Sequence, residues 1–433
     1  MLTILLGCKK DISDPENKLA ISFTQKKIGT RLNIQDSGAW WGEQIVKIVE
    51  YNGSVYTITY VDNNGARTAY LNKIDSQGSW TEGLSFQSSR IPTLLVDSSG
   101  FIHLIGFEPY SNNDYRGRLY HVKFNTSENI SGNFKKSYIS EDTSQDTYIV
   151  KERNASIFYG AAIGKDNTIM TVYNNSPDSN SDSNNSLAVR INTDNDENWV
   201  YEDVVTGSTT NYAYPFAFVG DTYYHVLAVE DKYDEYYVNA GSPYNGYPYR
   251  YGQIRHWQRL RSGGSWEETT LINLNETLTK KEIWNSILRI HELYVDKTGT
   301  IHAILRYKIN GRYKSFHYTK NETASTWTNQ TILPSKNLYW AKLWEKDDNR
   351  LFYITCSFGN QLWLTPVGTT DIYNISDLTG DYARDMTPFP ANQRGGTKLG
   401  SDLNIVVYGG SNIIEGYYIK VNIILRLNIH SIL

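Results

Sequence analysis

Three histidines occupy the same position of an internal repeat. His103, His225 and His302 each lie two residues into a predicted strand that follows a turn rich in Asp, Asn and Gly. A position fixed by a repeat more often has a structural role; this is our interpretation of His302, while His225 is ambiguous. His103 differs because His121 follows on the next predicted strand, where a hairpin would place it beside His103. His103 and His121 are therefore candidates for acid–base chemistry.

The following repeat supplies a tyrosine and an arginine. Tyr173 lies at the end of its second predicted strand and Arg190 lies on its third. An arginine pairs with a sugar carboxylate through two hydrogen bonds and stabilises the negative charge that builds on it. A neutral histidine or a tyrosinate can remove a proton, and a tyrosine hydroxyl can protonate a departing oxygen. Elimination from a uronic acid needs these residue types; a surface aromatic and a solvated charge are the plainer interpretations of Tyr173 and Arg190.

The elements that must position these residues form a repeat of roughly 50–60 residues. Each unit contains short strands joined by hairpin turns, and several units close on a tryptophan: Trp80, Trp199, Trp266 and Trp327. Alternating runs with almost no helical periodicity predict antiparallel sheets, and four-stranded units of this length are typical of propeller blades. Seven copies predict an all-β fold, a seven-bladed β-propeller with blades at 40–88, 89–145, 150–206, 210–274, 284–334, 337–380 and 384–425.

The first strand is expected to close the ring. Residues 19–24 precede the first blade and are predicted to pair with the last one, which protects sheet edges that an open array would expose. Residues 19–433 are thus predicted to form one domain. Six or eight blades are the alternatives, because the last two copies are degenerate.

Composition agrees with a β-rich protein and excludes some functions. The 433 residues exceed the usual limit of about 250–300 for a single core, and 34 Tyr and 11 Trp against 3 Met favour pleated surfaces. A net charge of −4 excludes a globally basic nucleic-acid binder but leaves a local basic cleft open, and no nucleic-acid partner is predicted. Two cysteines cannot form a disulfide framework or a cysteine zinc site, and Cys356, in an apolar strand, is predicted to be buried.

The amino terminus resembles the end of a bacterial lipoprotein signal. An apolar run leads into Leu6, Gly7 and Cys8, and a polar stretch follows. The resemblance implies lipidation of the Cys8 thiol, with residues 1–18 as a signal remnant and tether. We therefore expect a secreted or outer-membrane lipoprotein of a bacterium, touching a membrane only through this anchor. The basic stretch that normally comes first is missing, which indicates a truncated or misplaced start; the alternative is an apolar start with an incidental cysteine.

The propeller pattern together with the order His103, His121, Tyr173, Arg190 resembles the propeller-type ulvan lyases, polysaccharide lyase families twenty-four and twenty-five. The specific match covers about residues 103–190. These secreted or surface enzymes of marine bacteria cut ulvan, a polymer of sulfated rhamnose and uronic acid, by β-elimination. The resemblance implies that His103 or His121 is the base, Tyr173 the acid or combined acid and base, and Arg190 the group that neutralises the carboxylate. No cofactor is expected for catalysis, no metal ligand is assigned, and a structural metal is left open.

A loop rich in Tyr, Gly and Pro in the fourth blade adds candidate sugar contacts. Aromatic faces stack on sugar rings, and arginines bind sulfate or carboxylate. The predicted substrate-binding residues are Tyr224, His225, Tyr233, Tyr237 and Arg255. The alternative is a loop that merely packs over a blade edge. The expected partner is an anionic polysaccharide, bound by a monomer.

Two other functions fit the same fold. A sialidase-like glycoside hydrolase would use paired carboxylates, for which Glu108, Glu230 and Asp231 lie near predicted strand ends. A non-catalytic glycan-binding propeller at the cell surface would use the same tyrosines, since a fold does not fix a function.

Overall fold

Seven four-stranded antiparallel sheets follow one another along the chain and confirm the predicted seven-bladed β-propeller. The computed structural model describes residues 19–32, 44–63, 66–88, 91–109, 117–130, 132, 134–139, 159–175, 185–193, 198–208, 210–234, 249–286, 288–309, 311–331, 338–357, 361–376, 387–409 and 414–425.

The strands of the first four blades lie in chain order from the innermost to the outermost. Blade 1 contains β2 (Ile48–Tyr51), β3 (Ser54–Asn63), β4 (Ala66–Ile74) and β5 (Trp80–Gln87). Blade 2 contains β6 (Thr93–Val96), β7 (Phe101–Pro109), β8 (Gly117–Asn125) and β9 (Lys135–Tyr138). Blade 3 contains β10 (Tyr159–Ile163), β11 (Ile169–Asn175), β12 (Asn185–Asn192) and β13 (Val200–Ser208). Blade 4 contains β14 (Asn211–Val219), β15 (Tyr223–Tyr233), β16 (Tyr249–Leu260) and β17 (Glu267–Asn273).

The last blade is completed by the first strand of the chain. Blade 5 contains β18 (Arg289–Val295), β19 (Thr300–Ile309), β20 (Arg312–Asn321) and β21 (Thr328–Thr331), and blade 6 contains β22 (Leu338–Glu345), β23 (Leu351–Ser357), β24 (Leu362–Pro366) and β25 (Tyr373–Asn374). Blade 7 contains β26 (Thr387–Pro390), β27 (Asp402–Gly409), β28 (Ile414–Leu425) and, as its outermost strand, β1 (Leu19–Leu32). Leu19 pairs with Leu425, so the predicted closure is confirmed.

Burial decreases from the channel outwards. Every residue of β11, β14 and β18 is buried, because these strands lie between neighbouring blades, whereas the outer strands β9 and β17 are largely exposed. Cys356, on β23, is 1% exposed, as predicted. The helical elements are short: α1 (Lys280–Ser286) and the 3-10 turns Leu274–Glu276 and Gln393–Gly395. In the described residues, no helix has the length and apolar character needed to cross a membrane.

Tight turns between the first and second strands position the repeated histidines. In blade 2, Oδ1 of Asp97 accepts hydrogen bonds from the backbone N–H groups of Ser99 and Phe101, which fixes the hairpin two residues before His103. Gly100 completes the turn at a φ of 88°, and a β-carbon there would lie 2.7 Å from the ring of Tyr51. The turn sequence therefore determines where the strand and its histidine begin.

Candidate active site

Blade 2 places His103 and His121 side by side. His103 Nε2 lies 3.3 Å from Asp97 Oδ2, and His103 Nδ1 lies 2.9 Å from His121 Nε2. His103 is fully buried and His121 is 5% exposed. The contact across the hairpin that the sequence predicted is confirmed, and a carboxylate joins it at one end.

One protonation pattern satisfies this chain of contacts. Burial lowers the pKa of His103 against the opposing effect of Asp97, and burial with the neighbouring His103 lowers the pKa of His121 to about 3, so both rings are neutral near pH 7. The Asp97 carboxylate can only accept, so His103 Nε2 carries a proton and His103 Nδ1 accepts the Nε2–H of His121. Nδ1 of His121 is then a bare acceptor, which a general base requires.

Paired histidines also occur in blades 4 and 5. His225 Nδ1 lies 3.3 Å from His256 Nε2, and His302 Nδ1 lies 2.8 Å from His317 Nε2. The first ring of each pair again contacts a carboxylate at 3.1 Å: His225 of blade 4 contacts Glu322, which directly follows β20 of blade 5, and His302 contacts Asp296 of its own blade. The second histidine therefore does not distinguish His103 from the other two positions, contrary to the expectation from the sequence.

Blade 2 differs from blades 4 and 5 in the hydrogen bonding of Nδ1 of the second histidine. His256 Nδ1 lies 3.3 Å from Thr269 Oγ1, and His317 Nδ1 lies 2.7 Å from Tyr353 Oη. His121 Nδ1 has no hydrogen-bond partner in the described part of the chain; its ring instead meets the edge of Trp199 at a centroid distance of 5.7 Å. Nδ1 of His121 is thus available to accept a proton, whereas the equivalent nitrogens in blades 4 and 5 are hydrogen-bonded to protein side chains.

Tyr173 and Arg190 form a second pair on blade 3. Arg190 Nε donates to Tyr173 Oη at 3.4 Å, and the Arg190 guanidinium lies 4.8 Å from the centre of the Tyr201 ring. Tyr173 is 1% and Arg190 is 6% exposed. Burial raises the pKa of Tyr173 against the opposing charge of Arg190, so the phenol keeps its proton at neutral pH and can act as an acid.

The two pairs lie on facing surfaces of neighbouring blades. Met170 and Val172 pack in an apolar cluster whose buried residues come from blades 3 and 4 alone, whereas Tyr173, which alternates with them along β11, lies outside it in the larger cluster that includes blade 2. Side chains two residues apart on a strand share a face, so Tyr173 points towards blade 2. Trp199 of blade 3 contacts His121 from the same side. The structure therefore brings His103, His121, Tyr173 and Arg190 to one interface between blades.

Two polar residues of this interface were missed in the sequence. Asn175 lies two residues after Tyr173, is 5% exposed, and its Oδ1 has no hydrogen-bond partner. Tyr201 is half-buried beside Arg190 and donates to Asp203. Tyr201 could have been found from the sequence, because it lies two residues after Trp199, one of the tryptophans that end the repeat units, and so shares its strand face.

The predicted substrate-binding residues do not form an open surface where the structure describes them. Tyr224 is 3% exposed, with Arg259 and Arg261 over its ring, and His225 is fully buried in the blade 4 histidine pair. Arg255 forms ion pairs with Glu230, at 2.7 Å, and with Glu268. Tyr224 and His225 are thus buried, Arg255 is partly exposed and ion-paired, and their predicted contact with a sugar stays a prediction. The side chain of Tyr233 and all of Tyr237 lie outside the described residues, as do Cys8 and residues 1–18.

The carboxylates considered for hydrolysis have protein partners. Glu108 accepts from Tyr138 Oη at 2.6 Å and from Lys136 Nζ at 3.1 Å. Burial raises the pKa of Glu230 against the opposing charge of Arg255, and Asp231 is 3% exposed. Among the described residues, no group of three or more His, Cys, Asp or Glu side chains could hold a metal ion.

A cavity of about 840 Å³ lies at the end of the channel formed by the turns between first and second strands. Its lining includes Asp97, Asp296 and Glu322, the carboxylates that contact the first histidine of each pair.

Comparison with known proteins extends the fold assignment. No family model and no curated protein matches the sequence. Among solved structures, the chain resembles the polysaccharide lyase Uly1 with a TM-score of 0.55 and 11% identity over 88% of this chain and 90% of that one. It also resembles an α-L-arabinanase of Penicillium chrysogenum (TM-score 0.43, 10% identity, 76% and 92% covered) and a sialidase of Trypanosoma rangeli (0.46, 9%, 92% and 59%). At 11% identity the likeness to Uly1 shows the fold alone, and the family resemblance seen in the sequence is consistent with it.

Proposed function

We propose that the protein is a polysaccharide lyase that cleaves a sulfated, uronic-acid-containing polysaccharide of the ulvan type by β-elimination. The observation that carries the proposal is the acceptor nitrogen Nδ1 of His121, which no described residue bonds, on the blade face opposite the Tyr173–Arg190 pair. The resemblance to propeller-type ulvan lyases and the shared fold with the polysaccharide lyase Uly1 support it.

Each residue of the interface has a role in this reaction. Arg190 pairs with the uronate carboxylate and stabilises the charge that develops on it when the proton at C5 leaves. His121 Nδ1 takes that proton, and His103, fully buried and bonded to Asp97, positions the His121 ring without touching substrate. The C4–O bond breaks as the C4–C5 double bond forms, and the Tyr173 hydroxyl gives its proton to the departing oxygen.

This assignment chooses between the two histidines that the sequence left open. The neutral chain of rings uses both nitrogens of His103 and leaves one nitrogen of His121. The protein is further proposed to act as a monomer on an anionic polysaccharide without a cofactor, and to reach a membrane only through a lipid on Cys8.

An absorbance assay tests the function. The full chain is offered ulvan, with other uronic-acid polymers as controls, and the unsaturated uronate product is followed at about 235 nm. A rise with ulvan supports the proposal, and a rise only with another polymer keeps the reaction but changes the substrate. New reducing ends without a rise would indicate a hydrolase, for which Glu230, with its raised pKa, is the candidate acid. No product of either kind would leave a glycan-binding propeller.

A further inference from the structure

Blade 5 contains a buried histidine outside the three pairs. His291, on β18, is fully buried, and its Nδ1 accepts the backbone N–H of Ala341 in blade 6 at 3.3 Å. Burial and the nearby cations Arg306, Lys342 and Arg289 hold the pKa of His291 well below its usual value. A neutral ring whose Nδ1 accepts carries its proton on Nε2, and His291 Nε2 has no hydrogen-bond partner among the residues that the structure describes.

Two buried hydroxyls without partners lie on the strands around this ring. Ser315 is the cross-strand partner of Arg306, and Thr355 is the cross-strand partner of Ala341, whose N–H His291 accepts. Within the described ranges of the chain, Ser315 Oγ and Thr355 Oγ1 have no hydrogen-bond partner, and their residues are 1% and 0% exposed. Buried polar groups are normally bonded, so three exceptions on neighbouring strands of blades 5 and 6 indicate that something else bonds them.

A positive charge and aromatic rings lie close to His291. The Arg306 guanidinium lies 5.0 Å from the Trp340 ring and 4.5 Å from the Tyr313 ring, and the His291 and Trp340 rings are 4.6 Å apart. Glu292, on the same strand, lies 3.8 Å from Lys342, one of the cations near His291, and 3.6 Å from Arg394, so Arg306 and Arg289 are the cations near His291 that Glu292 does not pair with.

We propose that His291, Arg306, Ser315 and Thr355 form a binding site for an oxyanion group, a sulfate or a carboxylate, between blades 5 and 6. An N–H, two hydroxyls that can donate and a guanidinium surround it, which matches a group that only accepts hydrogen bonds. A positive surrounding favours an anion over water. This site lies in other blades than the candidate active site and does not depend on the lyase reaction.

Calorimetric titration of the full chain with sodium sulfate, and separately with sodium glucuronate, at constant ionic strength tests the site. We expect saturable one-site binding of at least one of them. Binding of sulfate alone identifies a sulfate site, and binding of glucuronate alone identifies a carboxylate site. No saturable binding of either anion overturns the proposal.

His291→Asn is the decisive variant, because the Asn oxygen can still accept the Ala341 N–H while the Nε2–H is lost. We expect affinity to fall about tenfold. Thr355→Val, which keeps the side-chain shape, is the second variant if His291→Asn fails to fold, and it should also weaken binding. Thr387→Val removes a similarly buried hydroxyl from blade 7 and should leave affinity unchanged. Wild-type affinity in both His291→Asn and Thr355→Val contradicts the site.

Discussion

Blades 2 and 5 share one hydrogen-bonded frame and differ at its outer end. In blade 2, the Asp97 carboxylate contacts His103, and His103 contacts His121. In blade 5, Asp296 contacts His302 and His302 contacts His317 in the same way. In blade 5 the chain ends on the hydroxyl of Tyr353, whereas in blade 2 it ends on a bare nitrogen beside Trp199. The last histidine nitrogen is therefore hydrogen-bonded in blade 5, whereas in blade 2 no described residue bonds it.

The side chains on the second strands of these blades differ again four residues after the first histidine. Phe107 of blade 2 is paired with Leu119, and at the matching place blade 5 pairs Arg306 with Ser315. The repeat therefore fixes the backbone and the histidine frame, while single side chains decide what each interface between blades can bind. We expect catalysis at His121 in blade 2, and binding of an oxyanion at Arg306 and Ser315 in blade 5.

The largest effect is expected from Arg190→Ala. Loss of the guanidinium removes the group that stabilises the carboxylate charge, so kcat/KM should fall about 10²–10³-fold. Absorbance kinetics on ulvan measure this. Arg350→Ala, which removes an arginine paired with Asp348 in a turn of blade 6, is the control and should keep wild-type activity. Equal activity in the two variants would place the site elsewhere.

Tyr173→Phe should separate catalysis from binding. The phenol keeps its proton because burial raises the pKa of Tyr173, so its loss removes an acid and should lower kcat about 10²-fold with little change in KM. A glycan-binding protein would show unchanged affinity and no activity in either form. Tyr373→Phe, at a half-buried tyrosine of blade 6, serves as the matched control.

The paired histidines predict a loss of stability in acid. Burial and the neighbouring ring lower the pKa of His121 and of His317 to about 3, against 6.5 for the free side chain. The unfolded chain therefore binds these protons first as pH falls, so stability is complete above about pH 6.5 and declines from there towards pH 3. Urea denaturation between pH 7 and about pH 4 measures it. Constant stability over that interval would contradict neutral, buried pairs.

Most of the fold could be predicted from the sequence, because turns, strand alternation and tryptophans recur with each blade. The contact between His103 and His121 was also predictable, since a hairpin joins them. The capping of His317 by Tyr353 was not, because the two residues lie on different blades and only packing brings them together. Likewise Tyr224 and His225 have types that suit a sugar surface, yet strand register turns them into the interior.

Glutamine at the second histidine of each blade tests the account most directly. His121→Gln and His317→Gln both keep a side-chain N–H for the first histidine, and both remove the Nδ1 acceptor. Elimination activity on ulvan is measured by absorbance, with circular dichroism to show that each variant is folded. We predict that the wild type and His317→Gln produce unsaturated uronate and that folded His121→Gln does not. Activity retained in His121→Gln would contradict the assignment of His121 as the base.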